Sequence, residues 1–143
     1  MSEAATVVKQ IGFCCAHRLR GYEGLCGRLH GHNYLVEVGI TGPIRADGMV
    51  IDFKRLKQVI QRITDQWDHR TVLEVGDPLI EMIGEDQVRM MARRPTAENM
   101  AMVLRDHVVV ALQAKDAGIT ELRVRLWEAR DSYAEVSWRS STG

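Results

Sequence analysis

The stretch His-Gly-His-Asn-Tyr-Leu-Val-Glu-Val-Gly-Ile-Thr, residues 30–41, decides the fold of this chain. Residues 32–41 alternate between apolar and polar positions, which predicts a β-strand with one buried face. The apolar positions that share this face are Tyr34, Val36, Val38 and Ile40. Glu37 and Thr41 fall on the opposite face, and the Gly-Pro pair that follows is a turn signal that ends the strand.

The two histidines at the start of this stretch are candidate metal ligands. Residues two apart in an extended strand point to the same face, so the rings of His30 and His32 can reach one ion. Residues 7–17 predict a preceding strand that ends at His17. If the two strands pair as a hairpin, the loop between them brings His17 beside the other two rings. Three neutral imidazoles with an open fourth position are typical of a catalytic zinc site, although histidines also serve as surface or hydrogen-bonded core residues.

The rest of the chain predicts two helices and two further strands. Residues 52–67 and 95–116 show apolar stripes at helical spacing, with Asp52 and Thr96 as candidate N-caps. Residues 119–128 and 133–138 alternate as strands, whereas residues 72–94 predict a loop with a short helical piece.

The order of two strands, two helices and two strands predicts an α+β fold: an antiparallel sheet with helices on one face. We expect residues 1–143 to form one domain, and the edges of its sheet to pair with other subunits.

The composition limits the classes of function. Of the 143 residues, 19 are basic and 19 acidic, and a net charge of zero argues against nucleic-acid binding through a general basic field. No apolar run approaches the roughly 20 residues that span a bilayer, and the N-terminus lacks the pattern of a signal peptide. We therefore expect a cytoplasmic protein without a membrane partner. Three cysteines, two of them adjacent, do not make a disulfide framework.

A thiol and an Asp-His pair are candidates for proton transfer. Cys26 lies in a glycine-flanked loop four residues before His30, where a nearby cation would favour the reactive thiolate. Cys14 and Cys15 lie within an apolar strand and are interpreted as packing residues. Asp68 and His69 follow the first helix directly, so they can either cap the helix end or relay protons to a thiolate. His107 lies in a helical stripe, and we interpret it as structural.

Two carboxylates are candidates for binding a flat heterocycle. Glu128 continues the apolar register of residues 122, 124 and 126, where a carboxylate needs a partner. It either emerges into solvent as the strand ends or accepts paired N–H donors, such as those of an aminopyrimidinone edge. Glu98, near the start of the second helix, is either a favourable helix charge or a second ligand to that heterocycle.

Motifs spread over about residues 7–138 carry a resemblance to a known family. They are Phe13-Cys14-Cys15-Ala16-His17-Arg18-Leu19, Cys26-Gly27-Arg28-Leu29-His30-Gly31-His32-Asn33-Tyr34, Gly48-Met49-Val50-Ile51-Asp52-Phe53, Asp68-His69, Pro95-Thr96-Ala97-Glu98-Asn99 and Trp127-Glu128. In this order they resemble the 6-pyruvoyl-tetrahydropterin synthase family.

The resemblance implies a T-fold whose subunits assemble through their sheets into a barrel, commonly a hexamer of two trimers. It implies zinc on His17, His30 and His32. It also implies a proton-transfer group and a pterin anchor, both at subunit interfaces. The proton-transfer residues are Cys26, Asp68 and His69, and the anchor is Glu128 with Thr96 and Glu98 beside it.

The spacing from Cys26 to His30 resembles the branch that makes 6-carboxy-tetrahydropterin for queuosine and other deazapurine pathways. That branch implies 7,8-dihydroneopterin triphosphate as substrate, with release of triphosphate and acetaldehyde. Two alternatives stay open: the pyruvoyl-forming enzyme, and a pterin- or purine-binding protein without turnover. The departures from the family pattern are Cys15 in place of a smaller residue, a long 72–94 segment, and residues 129–133.

Overall fold

The computed structural model describes residues 3–141, which form one six-stranded sheet and three α-helices. The strands are β1 (Ala4–His17), β2 (His30–Pro43), β3 (Thr71–Glu74), β4 (Val88–Met91), β5 (Glu121–Ala129) and β6 (Ser132–Arg139). The helices are α1 (Phe53–Trp67), α2 (Leu79–Ile83) and α3 (Ala97–Ala111). Two single 3-10 turns occur at Leu25–Gly27 and Glu85–Gln87. The strand order across the sheet is β4-β3-β1-β2-β5-β6.

The centre of the sheet is the predicted hairpin of β1 and β2. The two strands pair antiparallel over their whole length, from Ala4 opposite Pro43 to His17 opposite His30. The predicted strands at residues 7–17 and 32–41 are therefore correct but short, because backbone pairing continues past the last residues of the apolar pattern. The register sets His17 opposite His30 at the end of the hairpin where the connecting loop lies.

The helices cover one face of the sheet, as predicted. The inward side chains of β2 and β5 are completely buried there: Val36, Val38, Ile40, Leu122, Val124 and Leu126. Asp52 caps α1 by accepting the Lys54 N–H at 2.8 Å, and Thr96 caps α3 by accepting the Asn99 N–H at 3.1 Å. Helix α3 ends at Ala111 rather than near residue 116, and Gln113 then takes a positive φ of 49° as the chain turns. No helix within residues 3–141 is long and apolar enough to cross a membrane.

The prediction of a wholly antiparallel sheet is wrong, and the prediction for residues 72–94 is correct only for its short helical piece, which is α2. This segment contributes β3, α2 and β4, so the element order is not two strands, two helices and two strands. β3 pairs parallel with the end of β1, and β4 pairs parallel with β3. Each new strand has only four residues. That is too short for a clear alternation, and these strands form through pairing: β3 on the edge of β1, and β4 on the edge of β3.

Candidate functional site

Three histidine side chains converge at the end of the β1–β2 hairpin where the loop of residues 18–29 joins the two strands. His17, His30 and His32 each offer a ring nitrogen, and these nitrogens lie within 4.8 Å of one another. The Nε2 atoms of His17 and His30 are 3.1 Å apart, and the ring centroids of His30 and His32 are 4.8 Å apart. The strand register produces this cluster, because it sets His17 opposite His30 and leaves His32 two residues further on the same face.

Backbone carbonyls orient two of the three rings. The Nδ1–H of His17 donates to the carbonyl of Pro95 at 2.7 Å, and the Nδ1–H of His30 donates to that of Arg28 at 2.6 Å. Each bond selects the tautomer whose Nε2 lone pair points inward, as metal-bound histidines generally require. The sequence did not single out Pro95 for this contact, because a main-chain acceptor leaves no signature in residue type.

The donor set fits a divalent metal ion such as zinc. His32 Nε2 is buried and has no hydrogen-bond partner among residues 3–141, which is costly for a polar atom that binds nothing. Two nitrogens bound tetrahedrally at 2.0–2.1 Å from zinc lie about 3.3 Å apart, close to the separation seen between His17 and His30. Burial is the main cause that lowers the pKa of both His17 and His32, so these rings are neutral and able to bind a cation.

Glu128 reaches the histidine cluster from β5. The β5–β6 register shifts between Trp127 and Ala129, so Glu128 occupies a β-bulge. Its Oε1 lies 3.4 Å from His17 Nε2 and 3.7 Å from His32 Nε2. Bulges re-aim side chains beside active sites, and this one turns the partly buried carboxylate toward the rings of His17 and His32.

A cavity of about 280 Å³ opens next to Glu128. Its lining includes Glu98 from the first turn of α3, Glu128 and the exposed ring of Tyr133. The two carboxylates predicted to bind a heterocycle therefore face one space. Thr96 immediately precedes α3, and its hydroxyl oxygen is engaged in capping that helix.

Tyr34 is a site residue that the apolar pattern of β2 identifies only as core. The residue is 2% exposed, and its hydroxyl lies 3.3 Å from Nδ1 and 3.4 Å from Nε2 of His17. Burial is the main cause that raises its pKa, so the phenol keeps its proton and can donate. Its position two residues after His32, on the same strand face, is the signal that could have identified it.

The structure separates Cys26 from Asp68 and His69 within one chain. Cys26 is exposed on the 3-10 turn Leu25–Gly27, and among residues 3–141 no hydrogen bond joins its thiol to either residue. Asp68 and His69 instead contact Cys14, with Sγ 3.8 Å from Asp68 Oδ1 and 3.7 Å from His69 Nε2.

Interpreting both adjacent cysteines as packing residues is wrong for Cys14. Cys15 is buried in the core, where burial raises its pKa to about 12. Successive strand residues point to opposite faces, so Cys14 must lie on the face that the helices leave open. Cys14 is accordingly only partly buried.

The comparisons with known proteins agree with this fold and site. The sequence-predicted T-fold is also that of 6-pyruvoyl tetrahydropterin synthase from Plasmodium vivax. That crystal structure superposes with a TM-score of 0.82 over 96% of this chain and 99% of the other, at 21% identity. The family model of 6-pyruvoyl tetrahydropterin synthase matches residues 6–138, and the chain belongs to this family.

Curated relatives carry the name of one branch of the family. A Rickettsia typhi protein named 6-carboxy-5,6,7,8-tetrahydropterin synthase is 31% identical over 136 residues, covering 90% of this chain and 96% of that protein. A Halobacterium salinarum protein named "Probable 6-carboxy-5,6,7,8-tetrahydropterin synthase" is 40% identical over 100 residues. That match spans 67% of this chain and 64% of the Halobacterium protein.

Proposed function

We propose that this chain is a zinc-dependent lyase that converts 7,8-dihydroneopterin triphosphate to 6-carboxy-5,6,7,8-tetrahydropterin, releasing triphosphate and acetaldehyde. The observation that carries the proposal is the convergence of three inward-facing imidazoles beside a cavity that two carboxylates line. The names of the curated relatives favour the carboxy-forming branch. We further propose that the chain is a single domain that works in the cytoplasm, on a route to queuosine or another deazapurine.

His17, His30 and His32 are the residues that would hold the zinc ion. Bound there, the metal supplies a Lewis acid that polarises oxygens of the substrate side chain and stabilises enolate-like charge. Burial lowers the pKa of His17 and His32 and keeps these two rings neutral, and the carbonyls of Pro95 and Arg28 aim the rings of His17 and His30.

Glu128 and Glu98 are proposed to recognise the pterin. The aminopyrimidinone edge of a pterin presents neighbouring N–H donors, and a carboxylate with two oxygens can accept a pair of them. Glu128 lies between the histidines and the cavity, so a pterin bound to it would extend its side chain toward the metal centre. Thr96 caps helix α3 and so holds Glu98, in the first turn of that helix, beside the cavity.

Cys26, Asp68 and His69 are proposed to move protons. Asp68 Oδ1 lies 3.0 Å from His69 Nδ1, so the carboxylate and the ring are close enough to exchange a proton. The backbone N–H of Cys14 is the main cause that lowers the pKa of Asp68, and this keeps its carboxylate ionised. Because Cys26 makes no hydrogen bond to this pair in its own chain, as described over residues 3–141, we propose that an interface of a homohexamer brings them together.

The proposed chemistry balances with water as the only co-reactant. Removal of carbon-bound protons from the side chain expels triphosphate and leaves two adjacent carbonyls on a reduced pterin ring. Water then adds to the carbonyl next to the ring, and the bond between the two carbonyl carbons breaks. The ring keeps a carboxylate, and the departing two-carbon fragment takes a proton to become acetaldehyde.

The test is incubation of the zinc-loaded protein with 7,8-dihydroneopterin triphosphate, followed by mass analysis of the products. We expect one acetaldehyde and one carboxy-pterin for each triphosphate released, and loss of turnover in Cys26→Ala. Triphosphate release with a pyruvoyl-pterin and no acetaldehyde would identify the pyruvoyl-forming activity instead. Tight pterin binding with no consumption of substrate would leave only a binding protein.

A further inference from the structure

A second group of metal-binding side chains lies apart from the histidine cluster. Among residues 3–141, only two groups of His, Cys, Asp or Glu bring three ligand atoms within 4.8 Å of one another. The second group is Cys14, Asp68 and His69. Cys14 lies three residues before His17, on the opposite face of β1, so the two groups do not share a ligand.

The backbone holds these three residues in contact. The N–H of Cys14 donates to Asp68 Oδ1 at 3.0 Å, and the N–H of His69 donates to the carbonyl of Cys14 at 2.6 Å. His69 has a φ of 60°, in the left-handed region that non-glycine residues rarely enter. Such conformations persist only where the surrounding structure enforces them, and this one carries the imidazole over the thiol of Cys14.

The separations of the ligand atoms suit one tetrahedral ion. With a zinc–sulfur bond of about 2.3 Å and bonds of 2.0–2.1 Å to nitrogen and oxygen, sulfur lies about 3.6 Å from each other ligand. The other two ligands lie about 3.3 Å from each other. In the structure, Cys14 Sγ is 3.8 Å from both Asp68 Oδ1 and His69 Nδ1, and that oxygen and nitrogen are 3.0 Å apart.

The group is also accessible to a hydrated ion. It lies at the wall of a cavity of about 440 Å³, whose lining includes Cys14 and His69. The His69 side chain is 79% exposed, so its ring can rotate to aim a nitrogen lone pair. Sγ is nearly equidistant from the two ring nitrogens, at 3.7 and 3.8 Å, so neither is the preferred hydrogen-bond partner of the thiol.

We propose that Cys14, Asp68 and His69 form a second site, which binds a thiophilic divalent cation such as zinc. On binding, the S–H bond of Cys14 is replaced by a metal–sulfur bond, and the proton passes to solvent. One thiolate and one carboxylate then balance the charge of the ion. Thiolate and imidazole ligands select zinc or cobalt over magnesium, which prefers oxygen ligands.

Occupancy of this site would regulate turnover, a consequence that rests on the function proposed above. A cation bound to His69 and Asp68 removes both from proton transfer. Zinc beyond the amount that fills the histidine centre therefore inhibits the enzyme. The thiol of Cys14 has no part in the proposed reaction, and Cys14→Ser keeps the backbone N–H that binds Asp68, so this replacement relieves the inhibition without lowering the basal rate.

Cobalt(II) titration of the metal-free protein tests the site, because a cobalt–thiolate bond gives a charge-transfer band in the near ultraviolet and a histidine-only centre does not. We expect two cobalt ions per chain, with the band growing as the second ion binds. Cys14→Ser should lose the band and the second ion but keep the first. Cys26→Ser, the matched control, should keep both ions and the band.

Three results would overturn the proposal: no thiolate band in the unmodified protein, a band that survives Cys14→Ser, or a band lost only in Cys26→Ser. His69→Ala, which alters an exposed side chain, provides a second variant that should also lose the second ion. If the protein binds two cobalt ions as described but forms no carboxy-pterin, the proposed function fails and the second site stands.

Discussion

The replacement Asp77→Ala tests how much the contact between the 72–94 segment and Arg18, beside the histidine cluster, contributes to the free energy of unfolding. Asp77 is 3% exposed, and both its carboxylate oxygens bind the guanidinium of Arg18, the residue that follows His17. Asp77 Oδ1 also accepts the N–H of Leu79 at 2.9 Å. The carboxylate thus joins the segment just before α2 to the residue that follows β1, next to the candidate metal ligand His17.

The expected loss is about 3 kcal/mol in the free energy of unfolding. Removing one partner of a fully buried ion pair costs about 3–5 kcal/mol, and the lower end applies because the Arg18 side chain is 23% exposed. Urea unfolding at fixed protein and metal concentrations measures this loss. The midpoint urea concentration should fall, whereas the slope of the free energy of unfolding against urea concentration should not change. Asp86→Ala, an exposed carboxylate in the same segment, is the matched control and should change stability by less than about 0.5 kcal/mol.

The same ion pair predicts the direction of a pH effect. The hydrogen bond from Arg18 is the main cause that lowers the pKa of Asp77 in the folded protein. This stabilisation is fully present above the unfolded-state pKa of about 3.9, and it is lost as the pH falls through the lower folded-state value. The free energy of unfolding should therefore differ less between pH 7 and pH 3 in Asp77→Ala than in the unmodified protein. Equal losses at both pH values, or a loss no larger than that of Asp86→Ala, would refute the reasoning.

Three further predictions concern the site. His32→Ala should remove the most tightly bound metal ion, as measured by metal analysis after dialysis. The control His107→Gln should keep this ion, and full metal retention in His32→Ala would contradict the assignment of His32 as a ligand. Glu128→Gln should raise the KM for the pterin by at least about tenfold, since a charge-assisted pair of hydrogen bonds is weakened; an unchanged KM would remove Glu128 from recognition. Thr96→Ala should lower the free energy of unfolding by about 1 kcal/mol through loss of the α3 cap, and thermal unfolding with no shift would show that the cap is dispensable.

Much of the fold could be predicted from local sequence patterns. Alternation over residues 32–41 and the apolar stripe of residues 52–67 identified β2 and α1, and Asp52 and Thr96 were correctly identified as caps. These features depend on neighbours within one strand or one helical turn. β3 and β4 could not be predicted in this way, because they are short and form by pairing with distant segments: β3 with the edge of β1, and β4 with β3.

The candidate site, like the fold, could be predicted from local sequence only in part. The two-residue spacing of His30 and His32 is enough to place both rings on one face of a strand, and pairing with β1 adds His17. Within one chain the thiol that contacts Asp68 and His69 is that of Cys14, whereas the role of Cys26 beside this pair stays a prediction that depends on a second subunit. Cys26 is predicted as a site residue because it is close to His30 in the sequence. Cys14 meets Asp68 and His69 because successive residues of β1 point to opposite faces of the sheet, and Cys14 lies on the face away from the helices.

The sequence by itself determined the strand that carries the histidines, the faces of its side chains and the family, because these follow from periodicity and motif order. Only the tertiary structure decided which groups meet across the chain. The carbonyl of Pro95 on His17, the bulge that turns Glu128 inward and the Asp77–Arg18 pair all join distant segments. Such contacts arise from the register and packing of the sheet, which no local pattern of residues encodes.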